Sequence, residues 1–269
     1  MLNKRSTFGV LAIIIVVSVF GFEYYLNFKE SKETFQRGKS LKSKTNSFFL
    51  PTSTSNQVVN HEGYSLSYSE QHKQSEWVAY ELKKSQLSKA NFKRPYFEID
   101  RAVKTGAAHW YNYKNSGYDR GHLCPAADRK YSKSAFDETF LTSNISPQEH
   151  EFNSGIWNSL EQKVRYWAFK FDGVFVVTGG VLNNGLESIG DEKVSVPKQF
   201  YKVLMDYNSK TPKMIAFLLP HKNSNESLYT FVVATDSIES LTGLDFFPKL
   251  EDSLENKLEA NSDFKKWGF

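Results

Sequence analysis

Apolar and polar positions change their spacing several times along the chain. Tyr64, Leu66 and Tyr68 alternate with serines, a polar turn follows, and Trp77, Val78, Ala79 and Tyr80 resume the apolar pattern. A period of two marks a half-buried strand, so this stretch predicts a β-hairpin. Residues 97–99 (Phe-Glu-Ile) predict another short strand, and 102–117, rich in Gly, Tyr, Asn and Lys, predict a loop. Apolar or alternating runs at 174–178, 201–207, 214–219 and 229–234 predict the core strands of a mostly antiparallel sheet. The period changes to four at Phe152, Ile156, Leu160, Val164 and Ala168, with Trp157 and Trp167 beside the stripe. That spacing predicts an amphipathic helix facing the sheet. Pro147 would open it, because a missing N–H costs nothing in a first turn. Short helices are expected at 237–242 and 254–260. The predicted class is α+β, a mostly antiparallel central sheet with flanking helices.

Ahead of this domain the pattern is different. Residues 8–22 are apolar and uncharged behind Lys4 and Arg5. With its neighbours the run reaches roughly twenty residues, enough to span a bilayer. It predicts a signal-anchor helix over 7–27 after a short basic segment, 1–6. A cleaved signal peptide is the alternative, although no small-x-small site follows. Residues 28–57 are polar and basic, which predicts a tether able to lie against anionic headgroups. The folded domain is expected over 58–269, held outside the cytoplasm (periplasmic or extracellular) by the anchor, or secreted if the anchor is cleaved.

Charge adds less than its total suggests. The net is +4, but residues 1–44 carry eight basic and three acidic side chains, leaving 26 basic against 27 acidic beyond them. The domain is near neutral, so any affinity for phosphate must come from a local patch or a metal. A hydrophobic content of 40% with 22 phenylalanines supports a packed core rather than a disordered chain. The single cysteine, Cys124, excludes an intrachain disulfide. Two residues from His122, it reads as a small buried hydrophobe rather than a nucleophile.

Candidate chemistry gathers at 118–128, Tyr-Asp-Arg-Gly-His-Leu-Cys-Pro-Ala-Ala-Asp. An imidazole titrates near neutrality and suits a general base. Gly121 leaves space beside His122 and lets the backbone bend; Asp119 and Arg120 supply charges able to hold a local turn. Downstream, Asn153 sits one turn into the predicted helix, where asparagine has poor propensity. Glu161 and Arg165 follow at spacings of eight and four, as an i,i+4 pair worth little if it is merely a surface ion pair.

Together these segments resemble the DNA/RNA non-specific endonuclease family of ββα-metal nucleases. The matching stretches are DRGH at 119–122, PAAD at 125–128, SNISPQ at 143–148 and FNSGIWNSLE at 152–161. VVTGGVL at 176–182, VPKQFYKV at 196–203 and TGLDFFP at 242–248 extend the likeness. The resemblance implies a ββα-metal site, with His122 as general base and Asn153 as the one direct protein ligand of Mg²⁺, or of Mn²⁺ or another divalent cation. An ion that dehydrates reluctantly and keeps several waters fits such a sparse set. It further implies that Glu161 assists catalysis and that Arg94 clamps phosphate and assists catalysis, with Arg101 as rival for the clamp. Asn144, Arg165 and Arg120 would meet substrate, and Asp119 and Gly121 would support the histidine. Arg165 lies about 18 Å along the helix axis from Asn153, so it would bind flanking phosphates.

The implied reaction is hydrolysis of DNA and RNA without base discrimination, leaving a 5′-phosphate and a 3′-hydroxyl. Every recognised element addresses phosphate or metal rather than base edges. Tyr111, Tyr113 and Tyr118 can equally stack on bases or pack the loop. His109, His150 and His221 match no motif and default to structural or surface roles. The partners expected are nucleic acid and, through the N-terminal helix, a membrane. The alternatives are a catalytically silent, membrane-tethered nucleic-acid-binding protein and a phosphodiesterase for small substrates.

Overall fold

The computed structural model describes residues 47–269. The expected anchor over 7–27 and most of the expected tether lie outside these residues. Strands β1 (Val58–Asn60), β2 (Ser65–Ser69) and β3 (Gln74–Lys83) form a meander, and β4 (Asp119–His122) and β5 (Ile145–Gln148) pair apart from it. They are followed by β6 (Gly173–Gly180), β7 (Ser188–Ile189), β8 (Val194–Ser195), β9 (Gln199–Asp206), β10 (Lys213–Pro220) and β11 (Val232–Val233). The main sheet has the order β1-β2-β3-β6-β9-β10-β11, antiparallel at every step. Four helices matter below: α1 (Lys133–Glu138), α2 (Asn158–Lys170), α3 (Thr235–Thr242) and α4 (Asp252–Glu259).

Both faces of the sheet are covered, which is why the central strands read as near-continuous apolar runs. Val78, Tyr80, Val176 and Leu204 pack under Phe152, Trp157, Leu160, Val164 and Trp167 on the α2 side. Trp77, Ala79, Val177 and Val203 turn the other way, onto Ile238, Leu244, Phe246 and Leu258. Successive strand residues point to opposite faces, so one β3 sequence serves both cores. The period-four stripe is buried along its length: Phe152, Ile156, Leu160, Val164 and Ala168 all face the core.

Four expectations are corrected. Pro147 does not open the helix; it lies in β5 paired with Arg120, and helical backbone begins at His150. Residues 97–99 contribute one isolated bridge, Glu98 to Leu141, rather than a strand. The run at 229–234 divides into a 3₁₀ turn, Leu228–Phe231, and the two-residue β11. The polar stretch read as tether to residue 57 is packed well before its end. Phe49 is buried and stacks on Phe175 with ring centroids 3.7 Å apart, and the Trp77 indole donates to the Thr52 carbonyl at 2.8 Å. The Phe-Phe-Leu run at 48–50 carried that signal, hidden among serines and threonines.

Candidate active site

β4 and β5 form a two-stranded ribbon with Asp119 opposite Gln148, Gly121 opposite Ser146 and His122 opposite Ile145. The motif expected as a turn held by its own charges is therefore an extended strand. Gly121 is needed for close approach rather than for bending. A Cβ there would fall 2.1 Å from Gln148 Oε1 and 2.5 Å from its Cγ, with Gln148 itself fully buried. Gly121→Ala is accordingly expected to cost about 1–3 kcal/mol of stability through overpacking. Urea melts of variant and wild type check this; an unchanged midpoint would show that Gln148 gives way freely.

His122 ends β4 and is held by rings. Its imidazole centroid lies 5.5 Å from Phe97 and 5.0 Å from Phe140, the latter edge-on. The Arg94 guanidinium sits over the same two rings, 5.5 Å from Phe97 and 5.2 Å from Phe140. Arg120 approaches Phe97 from its own side at 5.0 Å. Nε2 of His122 is enclosed and has no hydrogen-bond partner among the described residues. Burial, with a smaller push from the Arg94 cation, lowers the His122 pKa to about 3. The ring is thus neutral throughout the physiological range. Asp119 was expected to support it; the rings of Phe97 and Phe140 are what pack against it, and neither announces that role by residue type.

Asp119, at the other end of β4, turns to the helix. Its Oδ2 accepts from Asn153 Nδ2 at 3.0 Å and lies 2.9 Å from His150 Nδ1. With its nitrogen committed, the Asn153 amide has its oxygen free to bind. The backbone at Asn153 is not regular α-helix. One α turn, His150–Phe152, passes into a π turn, Asn153–Trp157, before α2 begins. Gly155 makes the break with φ −97° and ψ −110°, and the Asn223 side chain accepts from the freed Ile156 N–H at 3.2 Å. π turns inside helices are frequent at functional sites. His221 fixes the approach to this turn: its Nδ1 donates to the Pro197 carbonyl at 2.8 Å, and its Nε2 accepts from the Glu149 N–H at 2.8 Å. His150 and His221, set aside on sequence, therefore both serve the segment that carries Asn153.

Below Asn153 lies a buried charge cluster. Asp128 is 1% exposed and accepts from Arg165 at 2.8 Å and from the Tyr80 hydroxyl at 3.0 Å. Arg165 is thus spent largely on a buried carboxylate rather than on flanking phosphate. Lys202, fully buried in β9, donates to Thr178 Oγ1 at 3.1 Å and sits 4.6 Å from the Trp157 ring centroid. Burial raises the Glu161 carboxyl to about 7, opposed by Lys202 and Arg165 and reinforced by Asp128. Lys202 was missed as a candidate; a lysine within the apolar run Phe-Tyr-Lys-Val-Leu-Met was the available signal.

A glutamate raised in this way binds more protons folded than unfolded between about pH 4.5 and 7. Its contribution to stability is present below that window and is lost as pH rises through it. In EDTA, the wild type should therefore lose melting temperature across pH 5–7, and Glu161→Gln should flatten that fall. Parallel melting curves would contradict the assignment.

The remaining candidates separate cleanly. Asn144 is fully buried, accepting from the Cys124 N–H at 2.8 Å and donating to the Cys124 and Thr139 carbonyls at 3.0 and 2.9 Å. That corrects its expected contact with substrate: it pins the chain two residues past His122. Cys124 is buried, and burial pushes its thiol up to about 12, which leaves it inert. Tyr113 is buried packing, whereas Tyr111 is exposed and stacked on His109 at 4.1 Å.

A model of the DNA/RNA non-specific endonuclease family matches residues 41–253. The chain belongs to that family. Within it, the chain is 36% identical over 203 residues to mitochondrial nuclease EXOG of Danio rerio, covering 69% of this chain and 59% of that protein. It is 31% identical over 209 residues to human mitochondrial endonuclease G, covering 72% and 70%. A Nostoc nuclease is 30% identical over 217 residues, covering 74% and 76%. The chain thus spans about six-tenths of the EXOG relative's length. A solved complex of EndoG with the inhibitor EndoGI has the same fold, with a TM-score of 0.68 at 29% identity over 73% of this chain and 88% of that one.

These relatives overturn the expected location. EXOG and endonuclease G are named as mitochondrial, against a membrane-anchored domain outside the cytoplasm. No helix among the described residues is long and apolar enough to cross a membrane. α2, with 13 residues, is about 20 Å long against a hydrocarbon core of roughly 30 Å.

Members of this family depend on a divalent metal. The residues present suit a hard cation. Asp119 holds the Asn153 nitrogen and so leaves the amide oxygen to bind, a carboxylate stands beside it, and the one cysteine is buried elsewhere as an inert thiol.

Proposed function

We propose that the chain is a Mg²⁺-dependent endonuclease that hydrolyses phosphodiester bonds of DNA and RNA without regard to sequence or sugar. The observation that carries this reading is the pairing made by β4: a neutral histidine with its Nε2 enclosed at one end and, at the other, an aspartate that engages the Asn153 amide nitrogen. Asp119 and His122 lie at the two ends of β4, about 10 Å apart along the backbone. Bound at Asn153, a divalent ion supplies positive charge beside the phosphate.

His122 takes the proton from water as the water oxygen attacks phosphorus; the P–O3′ bond breaks and the departing 3′-oxygen takes a proton from solvent. With Nε2 enclosed and unpartnered, Nδ1 is the nitrogen left to accept the proton of the attacking water. Arg94 stands over the same rings and provides a guanidinium fork for phosphate. This position favours it over Arg101. Arg120, exposed and 5.0 Å from the Phe97 ring, offers a second cation to the backbone of the substrate. Glu161 and Lys202 tune the charge beneath the metal site. None of these groups is placed to read a base edge or a 2′-hydroxyl, which supports action on both nucleic acids.

The test is incubation of the full chain with supercoiled plasmid and with total RNA, in Mg²⁺ and in EDTA. Both should be degraded in Mg²⁺ and spared in EDTA. A folded protein that retains DNA without cutting it under several divalent ions would instead be a binding module.

A further inference from the structure

A second cluster of acidic side chains lies on the sheet face opposite α2. Asp236 and Glu239 project from α3, Asp245 from the turn that follows it, and Glu255 and Glu259 from α4. Asp236, Glu239 and Glu259 each offer an oxygen within 4.8 Å of the other two, and so do Asp245, Glu255 and Glu259. Two ligands on opposite sides of a calcium ion, each about 2.4 Å from it, stand about 4.8 Å apart. Either group can therefore close on one ion, with Glu259 common to both.

Proximity of carboxylates alone would carry little, but Glu259 adds a separate observation. It is 6% exposed, and its Oε1 is enclosed with no hydrogen-bond partner among the described residues. Glu255 Oε1 is enclosed and unpartnered in the same way. Proteins pair or coordinate buried carboxylates, because an unpaired one is costly to desolvate. The charged groups that act on Glu259 are Glu239, Glu255, Asp245 and Asp236, all of its own sign. Glu239 donates no help of its own: its Oε1 accepts from the Phe246 N–H at 2.8 Å, which leaves its second oxygen for a ligand.

We propose that Asp236, Glu239, Asp245, Glu255 and Glu259 form a structural divalent-cation site of calcium type, separate from the catalytic centre. All its donors are carboxylate oxygens, which select a hard cation over zinc or copper. Several carboxylates converging without fixed octahedral order suit Ca²⁺ better than Mg²⁺, which keeps most of its water. The ion would tie α3 to α4 through the Asp245 turn. That turn is already bound to the N-terminal arm, since Thr52 N–H donates to the Asp245 carbonyl at 2.9 Å and Asp245 N–H donates to Thr52 Oγ1 at 2.8 Å. Occupancy should therefore govern stability and leave the chemistry at His122 unchanged. The competing relief for these charges is a proton on Glu259 rather than a cation.

The experiment uses the full chain stripped with EDTA, then titrated with CaCl₂ by calorimetry and by thermal melting. Ca²⁺ at about 100 times its Kd should raise the melting temperature by about 5 °C or more. Asn153→Ala should show the same gain, which separates this site from the catalytic one. Glu259→Gln should lose the gain while cutting plasmid in Mg²⁺ at the wild-type rate. Should Glu259→Gln not fold, the exposed Asp245→Asn carries the same comparison. The proposal is overturned by no Ca²⁺-dependent shift in the wild type, or by an equal shift in Glu259→Gln or Asp245→Asn. Stabilisation by acidification alone, with no response to Ca²⁺, would assign the cluster to protons and overturn it equally.

Discussion

Replacing His122 with alanine is expected to lower plasmid cleavage by roughly 10²–10⁴-fold, the usual worth of a positioned general base. At the middle of that range the loss is about 4 kcal/mol of transition-state stabilisation. The ring packs against Phe97 and Phe140 with Nε2 enclosed, and the Arg94 cation adds to the penalty on a second charge, so the imidazole arrives unprotonated. A base lowered to about 3 would be weak by itself; a bound phosphate brings negative charge that raises its proton affinity when the proton must move. In the free protein, then, no acid limb of kcat/KM near 6.5 should trace to His122. Initial rates at saturating Mg²⁺, with the melting temperature measured alongside, separate lost chemistry from lost fold. Near-full activity in a folded variant would remove His122 from the mechanism.

The second large effect is expected at Asn153. Asp119 takes the amide nitrogen of Asn153, with His150 on the same carboxylate, which leaves the amide oxygen as the atom able to meet an ion. Asn153→Ala should raise the Mg²⁺ concentration for half-maximal cleavage by about tenfold or more, and depress the rate at saturation. Asp119→Asn should move the same curve in the same direction by a smaller amount, since the amide could then flip and present nitrogen to the ion. A Mg²⁺ titration of cleavage checks both. An unchanged half-maximal concentration in Asn153→Ala would mean that the ion is held elsewhere.

Much of this site was legible in the sequence because its chemistry is carried by residue types at fixed spacings. Asp-Arg-Gly-His, and asparagine followed by tryptophan and glutamate at steps of four, survive any uncertainty about local conformation. The sheet was legible for a different reason: alternation at 64–68 and apolar runs at 201–207 and 214–219 have few other physical solutions. What escaped was geometry that residue identity does not encode. The extended backbone of β4 is imposed by pairing with β5, a long-range contact that also takes Pro147 out of the helix. The π turn depends on Asn223, 67 residues downstream, receiving the Ile156 N–H. His150 and His221 match no motif, yet one meets Asp119 and the other holds the chain entering the turn. Asn144 illustrates the opposite error. Its place in a recognisable motif suggested substrate contact, and full burial with both ends of the amide engaged shows a scaffold instead. The N-terminal boundary slipped because Phe49 sits in a stretch whose composition reads as linker, and a single aromatic outweighs its polar neighbours once a sheet is there to receive it.

In the proposed mechanism His122 and the ion at Asn153 act on the same phosphate in one step. The most direct test is a double-mutant cycle on plasmid cleavage, with His122→Ala, Asn153→Ala and the pair compared at saturating Mg²⁺. Groups that work as a unit lose their effect together, so the double variant should be about as slow as the worse single variant. If the two losses multiplied in full, the histidine and the ion would be contributing independently, and the shared-phosphate mechanism would be contradicted.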